Sequence, residues 1–320
     1  MINRKFFITG GAGFIATALI KRLVGKNKIV VYDSLTRNSL KDGRLWGHPN
    51  LKVVQGDVLD YKFLKKNLPS DTDVMLHMAA VAGIDTVAKN PLKTMEVNMV
   101  GTHHVLKAIN ELGIAKRIER FINFSTSEVF GINAFRVDEK DSTNLQPVGE
   151  ARWTYSVSKL AGEHLAHSYH KQFGLQALNV RPFNIYGPGQ VGEGAIHHFV
   201  LRAIKNEPLV IHGEGDQIRS WCYIEDMIDG LFLCLENKKA VGEVFNIGNP
   251  KGTITILGLA EKIIQLAGSS SPIVHVPRDY VDVELRIPSI QKARELLGFE
   301  PKVDLNEGIR STIEWYRNEI

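Results

Sequence analysis

Cysteines and long apolar runs are both scarce in this sequence, and each scarcity excludes a class of protein. Among 320 residues the 2 cysteines, Cys222 and Cys234, have a spacing that matches neither a metal knuckle nor a disulfide framework. No stretch reaches the roughly 20 consecutive apolar residues that a membrane helix needs. Glycines at 10, 11 and 13 interrupt the N-terminal apolar stretch, which argues against a secretory signal. We therefore expect a protein of the reducing cytoplasm with no membrane partner.

Basic runs, nucleophile elbows and phosphate loops are also missing. Lys and Arg number 39 against 35 Asp and Glu, and the net charge of +4 suits a small anionic ligand but is too diffuse for nucleic acid. The absence of Gly-x-Ser-x-Gly and Gly-Lys-Ser/Thr motifs excludes serine hydrolases with that elbow and P-loop nucleotide hydrolases. His164, His167 and His170 recur every third position, but no cysteine or carboxylate pattern accompanies them, so we predict no metal site.

Short β-branched or aromatic runs alternate with amphipathic stretches through the first 180 residues or so. This alternation is typical of βαβ units around a parallel sheet, so the predicted fold is α/β with a doubly wound parallel sheet. The predicted strands are 6–9, 29–32, 51–55, 73–77, 121–124 and 176–181, and the predicted helices are about 12–25, 60–68, 91–113 and 154–173.

A glycine-rich loop at 10–16, GGAGFIA, follows the first predicted strand and opens the first predicted helix. Glycines permit the tight turn and the close backbone approach that a dinucleotide requires, and the helix N-terminus attracts its pyrophosphate. Asp33 ends the next strand, where a carboxylate accepts hydrogen bonds from a ribose diol and repels a 2′-phosphate. The pattern favours NAD as the cofactor, while the nearby Arg37 leaves NADP open.

The composition of the sequence changes after residue 181, where glycine- and proline-rich loops with short predicted helices and strands begin. We predict an NAD-binding Rossmann domain over 1–181 and a smaller C-terminal α/β substrate lobe over 182–320. An apolar run at 243–247 predicts that the chain returns to the main sheet at about 225–249.

Tyr155 and Lys159 lie one turn apart on the predicted helix 154–173, which is close enough for a phenol and an ammonium to interact. Tyr61 and Lys65 share that spacing, so the pair alone has little weight. The run 125–128, STSE, distinguishes the first pair, because it ends a strand at the edge where open α/β sheets bind ligands. Holding a phenol ionised at neutral pH requires about 4 kcal/mol, which we expect Lys159 and a positive nicotinamide ring to supply.

Taken together, these motifs resemble the extended short-chain dehydrogenase/reductase family, in its NAD-dependent nucleotide-sugar epimerase, dehydratase and decarboxylase branch. The residues that carry the resemblance are 9–16, Asp57, 77–80, Asn98, Tyr155, Lys159, 181–188, Arg219 and 222–226. The resemblance implies that Tyr155 is the base, that Lys159 binds the nicotinamide ribose and that Thr126 holds the sugar O4. It also implies transient oxidation of the sugar at C4, and a homodimer formed through helices at about 91–113 and 154–173.

The same resemblance assigns the binding residues. The implied NAD contacts are Gly10, Gly13, Phe14, Ile15, Asp33, Asp57, Val58, Ala79, Asn98, Tyr155 and Lys159. The implied contacts to a nucleotide-diphosphate sugar, which we expect to be UDP-linked, are Ser127, Asn184, Arg219 and Arg286.

Three reactions on the C4-oxidised sugar remain open. The stretch 280–290 and the pair Arg152-Trp153 look like the UDP-glucuronate decarboxylases, in which the residues matching Glu128 and Arg286 serve the active site. A 4,6-dehydratase also uses an acid/base at the position of Glu128, although thymidine-diphosphate-sugar dehydratases usually have Asp-Glu where this chain has Ser127-Glu128. A 4-epimerase needs no such group. A non-catalytic NAD-binding protein would not need Thr126, Tyr155 and Lys159.

The segment 129–154 between the two catalytic motifs is long for a connection inside a compact domain. Connections of this length are usually functional or mobile. We therefore predict a lid over the sugar, with a solvated excursion far from the site as the alternative.

Overall fold

The computed structural model describes residues 1–41, 45–278 and 282–319. The strands are β1 (Lys5–Thr9), β2 (Lys28–Asp33), β3 (Leu51–Gln55), β4 (Val74–His77), β5 (Arg120–Phe124), β6 (Asn133–Val137), β7 (Ala177–Pro182), β8 (Ile185–Tyr186), β9 (Leu209–His212), β10 (Ile218–Ser220), β11 (Cys222–Tyr223), β12 (Val244–Ile247), β13 (Thr253–Thr255), β14 (Ile273–Val276) and β15 (Leu285–Pro288). The α-helices are α1 (Phe14–Leu23), α2 (Tyr61–Asn67), α3 (Ile84–Lys89), α4 (Pro91–Met95), α5 (Gly101–Glu111), α6 (Ala151–Phe173), α7 (Ala195–Ile204), α8 (Ile224–Glu236), α9 (Ile256–Ala267), α10 (Gln291–Leu297) and α11 (Leu305–Glu319).

A seven-stranded sheet in the order β12-β7-β5-β4-β1-β2-β3 forms the centre of the larger domain, and every neighbouring pair is parallel. All residues of β4 and β5 are buried, as expected for strands covered by helices on both faces. The strand order reverses between β1 and β4, and this switch point opens a crevice at the carboxyl ends of the strands. The predicted doubly wound parallel sheet is confirmed.

Helices cover the two faces of this sheet through separate apolar clusters. On one face α1 packs against α8, and on the other α5 packs against α2 and α6. The predicted helix at 91–113 is present but is interrupted by a π-helical turn, Glu96–Val100, between α4 and α5. Such turns are rare and are frequent at functional sites. Here the turn carries Asn98, which the sequence placed at the cofactor.

A mixed four-stranded sheet in the order β13-β10-β15-β6 organises the smaller lobe, together with α7, α9 and α11. Its strand β6 comes from the first half of the chain, and the later strand β12 pairs with β7 in the main sheet. The chain therefore crosses between the two units several times. Parallel pairing of β10 with β15 sets Arg219 directly beside Arg286.

Three of the expectations from the sequence concern membrane helices, metal sites and cysteines. Within 1–41, 45–278 and 282–319, no helix is both long and apolar enough to cross a membrane, and no cluster of three His, Cys, Asp or Glu side chains is placed to hold a metal. Cys222 and Cys234 are free thiols in the interior.

The predicted lid segment has two parts before α6, and its last four residues, 151–154, form the start of that helix. Its first part is built into the fold, because β6 pairs with β15 and Glu139 accepts a 2.7 Å hydrogen bond from the Asn246 amide. Its second part, from about 140 to 150, has no helix or strand and is largely exposed. A lid role is therefore restricted to that second part, where it stays a prediction.

Candidate active site

The turn between β1 and α1 has the shape that a dinucleotide needs. Gly10 has a φ of +69°, and a Cβ added to it would lie 2.4 Å from the backbone nitrogen of Ala79. Gly13 precedes the helix with no side-chain cap, so the amides of the first turn, which begins with Phe14 and Ile15, have no side-chain acceptor there. Open helix amides of this kind bind anions. The loop therefore fits a pyrophosphate.

Asp33 lies at the end of β2, beside the glycine turn. Its two carboxylate oxygens accept hydrogen bonds from the amides of Ala12, at 3.0 Å, and Leu35, at 2.7 Å. Burial raises the pKa of Asp33, while these two amides act in the opposite direction. A carboxylate fixed at this point can accept bonds from a ribose diol.

Arg37, which could have bound the phosphate of NADP, makes its contacts with other residues of the protein. Its guanidinium donates to the Ala82 carbonyl at 3.0 Å and to the Thr86 hydroxyl at 2.9 Å, and it pairs with Glu193 at 3.3 Å. Asp33 is thus the charged group beside the turn, which supports NAD over NADP.

We expect Gly10→Ala to weaken NAD binding and to destabilise the fold by about 1–3 kcal/mol, the usual cost of a strained backbone position. The methyl group would overlap the backbone of Ala79, so the loop must move. Urea unfolding and fluorescence titration with NAD would measure both effects. Gly25→Ala is the matched control, because nothing lies within 4 Å of a Cβ at Gly25, and it should change neither quantity.

The other predicted cofactor residues fall into two groups. Asp57, Val58 and Ala79 lie in the loops that follow β3 and β4, at the same edge of the sheet as the glycine turn. Asn98 is buried, bonds both backbone groups of Val81 and donates to Ser158 at 3.1 Å. It therefore braces the loop after β4 against α6, and direct contact of these four residues with NAD stays a prediction.

The predicted catalytic pair, Tyr155 and Lys159, and Thr126 meet at the junction of α6 and β5. Thr126 follows β5, and its hydroxyl lies close enough to the Tyr155 phenol to lower the pKa of that phenol. Lys159 lies one turn later on α6 and is only 4% exposed. Tyr61 and Lys65, the pair with the same spacing, bind Glu111 on the surface of α2 and α5 instead. The structure thus separates the two pairs as the sequence predicted.

Burial moves the pKa values of the pair in opposite directions. It raises the pKa of Tyr155, the Glu128 carboxylate raises it further, and the Thr126 hydroxyl and Arg286 act against them. Burial lowers the pKa of Lys159 to about 8, with Glu163 acting against it. Stabilisation of the phenolate by the Lys159 ammonium and by the positive nicotinamide ring stays a prediction.

A cluster of charged side chains extends from this pair into the lobe. The Glu128 carboxylate accepts from Arg152 at 3.3 Å and from Arg286 at 3.4 Å, and Arg152 also pairs with Asp282 at 2.9 Å. Although burial raises the pKa of Glu128, the two arginines lower it to a net value below its usual range. Glu128 is therefore ionised in the cluster at neutral pH.

The cluster contains three arginines and two carboxylates, so it retains one positive charge. Arg219 completes it through Asp282, at 3.1 Å, and burial lowers the pKa of Arg219 to about 9. In the part of the chain that the structure describes, Nε and Nη2 of Arg286 are buried and find no hydrogen-bond acceptor. Buried guanidinium donors without acceptors indicate a site for an anionic group.

These residues line one cleft of about 670 Å³ between the two units. The predicted substrate residues Ser127, Asn184, Arg219 and Arg286 all lie on it, as do Thr126, Glu128 and Tyr155. Sequence reasoning gave no role to Arg152 or Asp282, since only the fold brings them to Glu128. Tyr280 and Val281, part of the stretch that resembles decarboxylases, lie outside the described residues.

Comparison with known proteins agrees with this geometry. The model of the NAD dependent epimerase/dehydratase family matches residues 6–248. The chain belongs to this family. The predicted family, its enzyme class and NAD as the cofactor are confirmed.

Relatives within the family carry more than one activity. UDP-glucuronic acid decarboxylase 3 of Arabidopsis thaliana is 36% identical over 98% of this chain and 90% of that protein. The UDP-glucuronic acid 4-epimerase of Bacillus cereus, solved with UDP-glucuronic acid and NAD, is 30% identical with a TM-score of 0.88, covering 99% of this chain and 100% of its own. The dTDP-glucose 4,6-dehydratase of Bacillus anthracis, solved with NAD, is 26% identical with a TM-score of 0.84, covering 98% of this chain and 97% of its own.

Proposed function

We propose that this enzyme oxidises a UDP-linked uronic acid at C4 and then decarboxylates it. The observation that carries the proposal is the buried cluster of Glu128, Arg152 and Arg286 next to Tyr155. Its positive charge and the open donors of Arg286 suit a sugar that bears a carboxylate. The decarboxylase relative supports the same assignment.

In the first step Tyr155 takes the proton of the sugar 4-hydroxyl, which Thr126 orients through its own hydroxyl. The glycine turn and Asp33 would hold NAD, which would supply reversible hydride transfer at C4. Lys159 and Asp33 would hold the two ribose units. Lys159 also places a positive charge on α6, one turn from the base Tyr155. The product of the step is a 4-keto uronate.

A 4-keto uronate is a β-keto acid, so breaking its C5–C6 bond releases carbon dioxide and leaves the electron pair in a C4–C5 enolate. Arg286 and Arg152 hold the carboxylate before it leaves. A second carboxylate between the same arginines favours protonation of Glu128 by like-charge repulsion, and Glu128 then supplies the proton that C5 needs. Return of the hydride to C4 and of the Tyr155 proton to O4 completes the turnover.

Two alternatives are supported by specific observations. The structural similarity to a UDP-glucuronic acid 4-epimerase favours simple inversion at C4, in which Glu128 has no proton to transfer. The similarity to a 4,6-dehydratase favours loss of water from a hexose, with Glu128 acting at C5 and C6. Ser127 replaces the aspartate usual in thymidine-diphosphate-sugar dehydratases, which weakens the case for those sugars, whereas dehydratases of guanosine-diphosphate mannose carry Thr-Ser-Glu, as this chain does at 126–128.

Mass spectrometry of the product from UDP-glucuronate and NAD separates these reactions. Decarboxylation removes the mass of carbon dioxide, whereas epimerisation leaves the mass unchanged and alters the retention time. If UDP-glucuronate is not converted, hexoses linked to UDP, dTDP, GDP and CDP should be tested for loss of water. If none is converted and no reduced nicotinamide is formed, the protein binds NAD without this catalysis.

We also propose that the enzyme is a homodimer, formed through α6 and the segment of α4 and α5. Leu92 on α4 is 72% exposed and Val157 on α6 is 42% exposed, so both parts of the proposed interface present a large apolar side chain that a partner subunit would cover. Sedimentation equilibrium measures the mass directly. A monomer at micromolar concentration would contradict the proposal.

A further inference from the structure

A buried carboxylate that the proposed chemistry does not use lies one helical turn beyond Lys159. Glu163 on α6 binds Arg181 of β7 through two hydrogen bonds, from Nε at 2.8 Å and from Nη2 at 2.7 Å, and both side chains are 6% exposed. Glu163 also accepts a hydrogen bond from the Ser125 hydroxyl. All three contacts are inside the protein.

These contacts join the three segments that carry the predicted catalytic and substrate residues. Ser125 immediately precedes Thr126, Arg181 lies shortly before Asn184, and Glu163 shares its helix face with Lys159. A bidentate arginine–carboxylate pair has a fixed planar geometry, so it restricts the rotation of α6 against the sheet. Loss of these bonds would let the phenol and the ammonium move relative to Thr126.

We propose that Glu163 is a positioning residue that orients α6 at the active site and, together with Arg181, sets the charge state of Lys159. The proposal rests on the function assigned above. Glu163 places a negative charge one turn from the ammonium, and Arg181 holds a positive charge against that carboxylate. Removal of either partner leaves the other buried and uncompensated, which is the costly arrangement for an ion pair.

The groups around Lys159 make the sign of each change predictable. Tyr155 and Glu163 lie on its own helix, and Glu128 acts on Tyr155. His77 of β4 is neutral, because burial and the neighbouring Lys159 lower its pKa to about 3. The π-helical turn and α5 contribute uncharged Asn98 and Thr102, bound to Ser158 and His77 respectively.

The test compares two variants with opposite expected effects. Glu163→Gln keeps the shape but leaves the Arg181 cation facing Lys159, so Lys159 should titrate about one pH unit lower or more. Arg181→Met leaves the Glu163 carboxylate facing Lys159, so Lys159 should titrate at higher pH by a similar amount. NMR of lysine labelled with ¹³C at Cε, assigned by loss of one signal in Lys159→Met, measures this in the NAD complex without turnover.

The pH profile of kcat should shift in the same direction as the titration of Lys159. The alkaline limb of the kcat profile should move to lower pH in Glu163→Gln and to higher pH in Arg181→Met. Glu111→Gln is the matched control, because Glu111 binds Lys65 at the surface, and it should leave both readouts unchanged.

Shifts in the same direction, or no shift in either variant, would overturn the proposal, because general loosening of the helix has no reason to give opposite signs. If one variant does not fold, the direction in the other decides. The NMR titration needs no substrate, so its result does not depend on whether the enzyme converts UDP-glucuronate. An enzyme that converts no nucleotide sugar but shows the two opposite shifts would contradict the proposed function and retain the role of Glu163.

Discussion

Tyr155→Phe should lower kcat by about 10³-fold, within the range that a positioned general base contributes. The variant keeps the volume of the ring but removes the phenol oxygen that accepts the proton of the sugar 4-hydroxyl in the proposed reaction. NAD should still bind, with an affinity lowered far less than kcat, because the glycine turn, Asp33 and Lys159 are untouched. Product formation from UDP-glucuronate measures the first effect, and fluorescence titration measures the second.

Tyr61→Phe provides the matched control for this experiment. Tyr61 also has a lysine four residues later, but its hydroxyl bonds Glu111 on an exposed surface at 2.5 Å. This variant should retain the parental kcat. Conversion by Tyr155→Phe at the parental rate would remove the phenol from the mechanism and, with it, the proposed C4 oxidation.

Glu128→Gln should separate the two halves of the proposed reaction. The amide has nearly the same shape, but it cannot carry the proton that C5 needs, so turnover should fall by about 10²-fold or more. The charge of the arginine cluster increases by one, so binding of the anionic substrate should be retained. We expect reduced nicotinamide and a 4-keto sugar to accumulate, which absorbance and mass spectrometry detect in a single turnover.

Glu295→Gln is the comparison for this change, because Glu295 is exposed on α10 and does not line the cleft, so this variant should turn over like the parent. A Glu128→Gln enzyme that turns over like the parent would exclude Glu128 from proton transfer. That outcome would favour the 4-epimerase, which requires no acid/base at C5.

The larger domain was predictable because its signals are local. Each strand of the main sheet is a short apolar run, and the glycine turn sits between β1 and α1 as its spacing predicts. The pairing of Thr126 with Tyr155 follows from the rule that ligand sites form at the carboxyl ends of parallel strands. These inferences need no knowledge of distant contacts.

The arginine cluster was not predictable in the same way. The cluster contains Arg152, Arg219 and Arg286, which are far apart in sequence. No sequence spacing predicts that these three side chains meet. The register of β10 with β15 brings two of them together, and α6 adds the third. The opposing influences on the phenol were not predictable either, because sequence spacing shows that Lys159 is near Tyr155 but not that burial and the Glu128 carboxylate raise the pKa of Tyr155.

The crossing of the chain between the two sheets has a consequence for biosynthesis. During synthesis on the ribosome, one edge of β7 stays unpaired until β12 has emerged. Strand β6 stays unpaired for longer, because its partner β15 lies later in the chain. Exposed strand edges of this kind invite wrong pairing with other chains. A nascent chain stalled before residue 244 should therefore depend on chaperones, and a fragment ending at the apparent domain boundary should aggregate rather than fold alone.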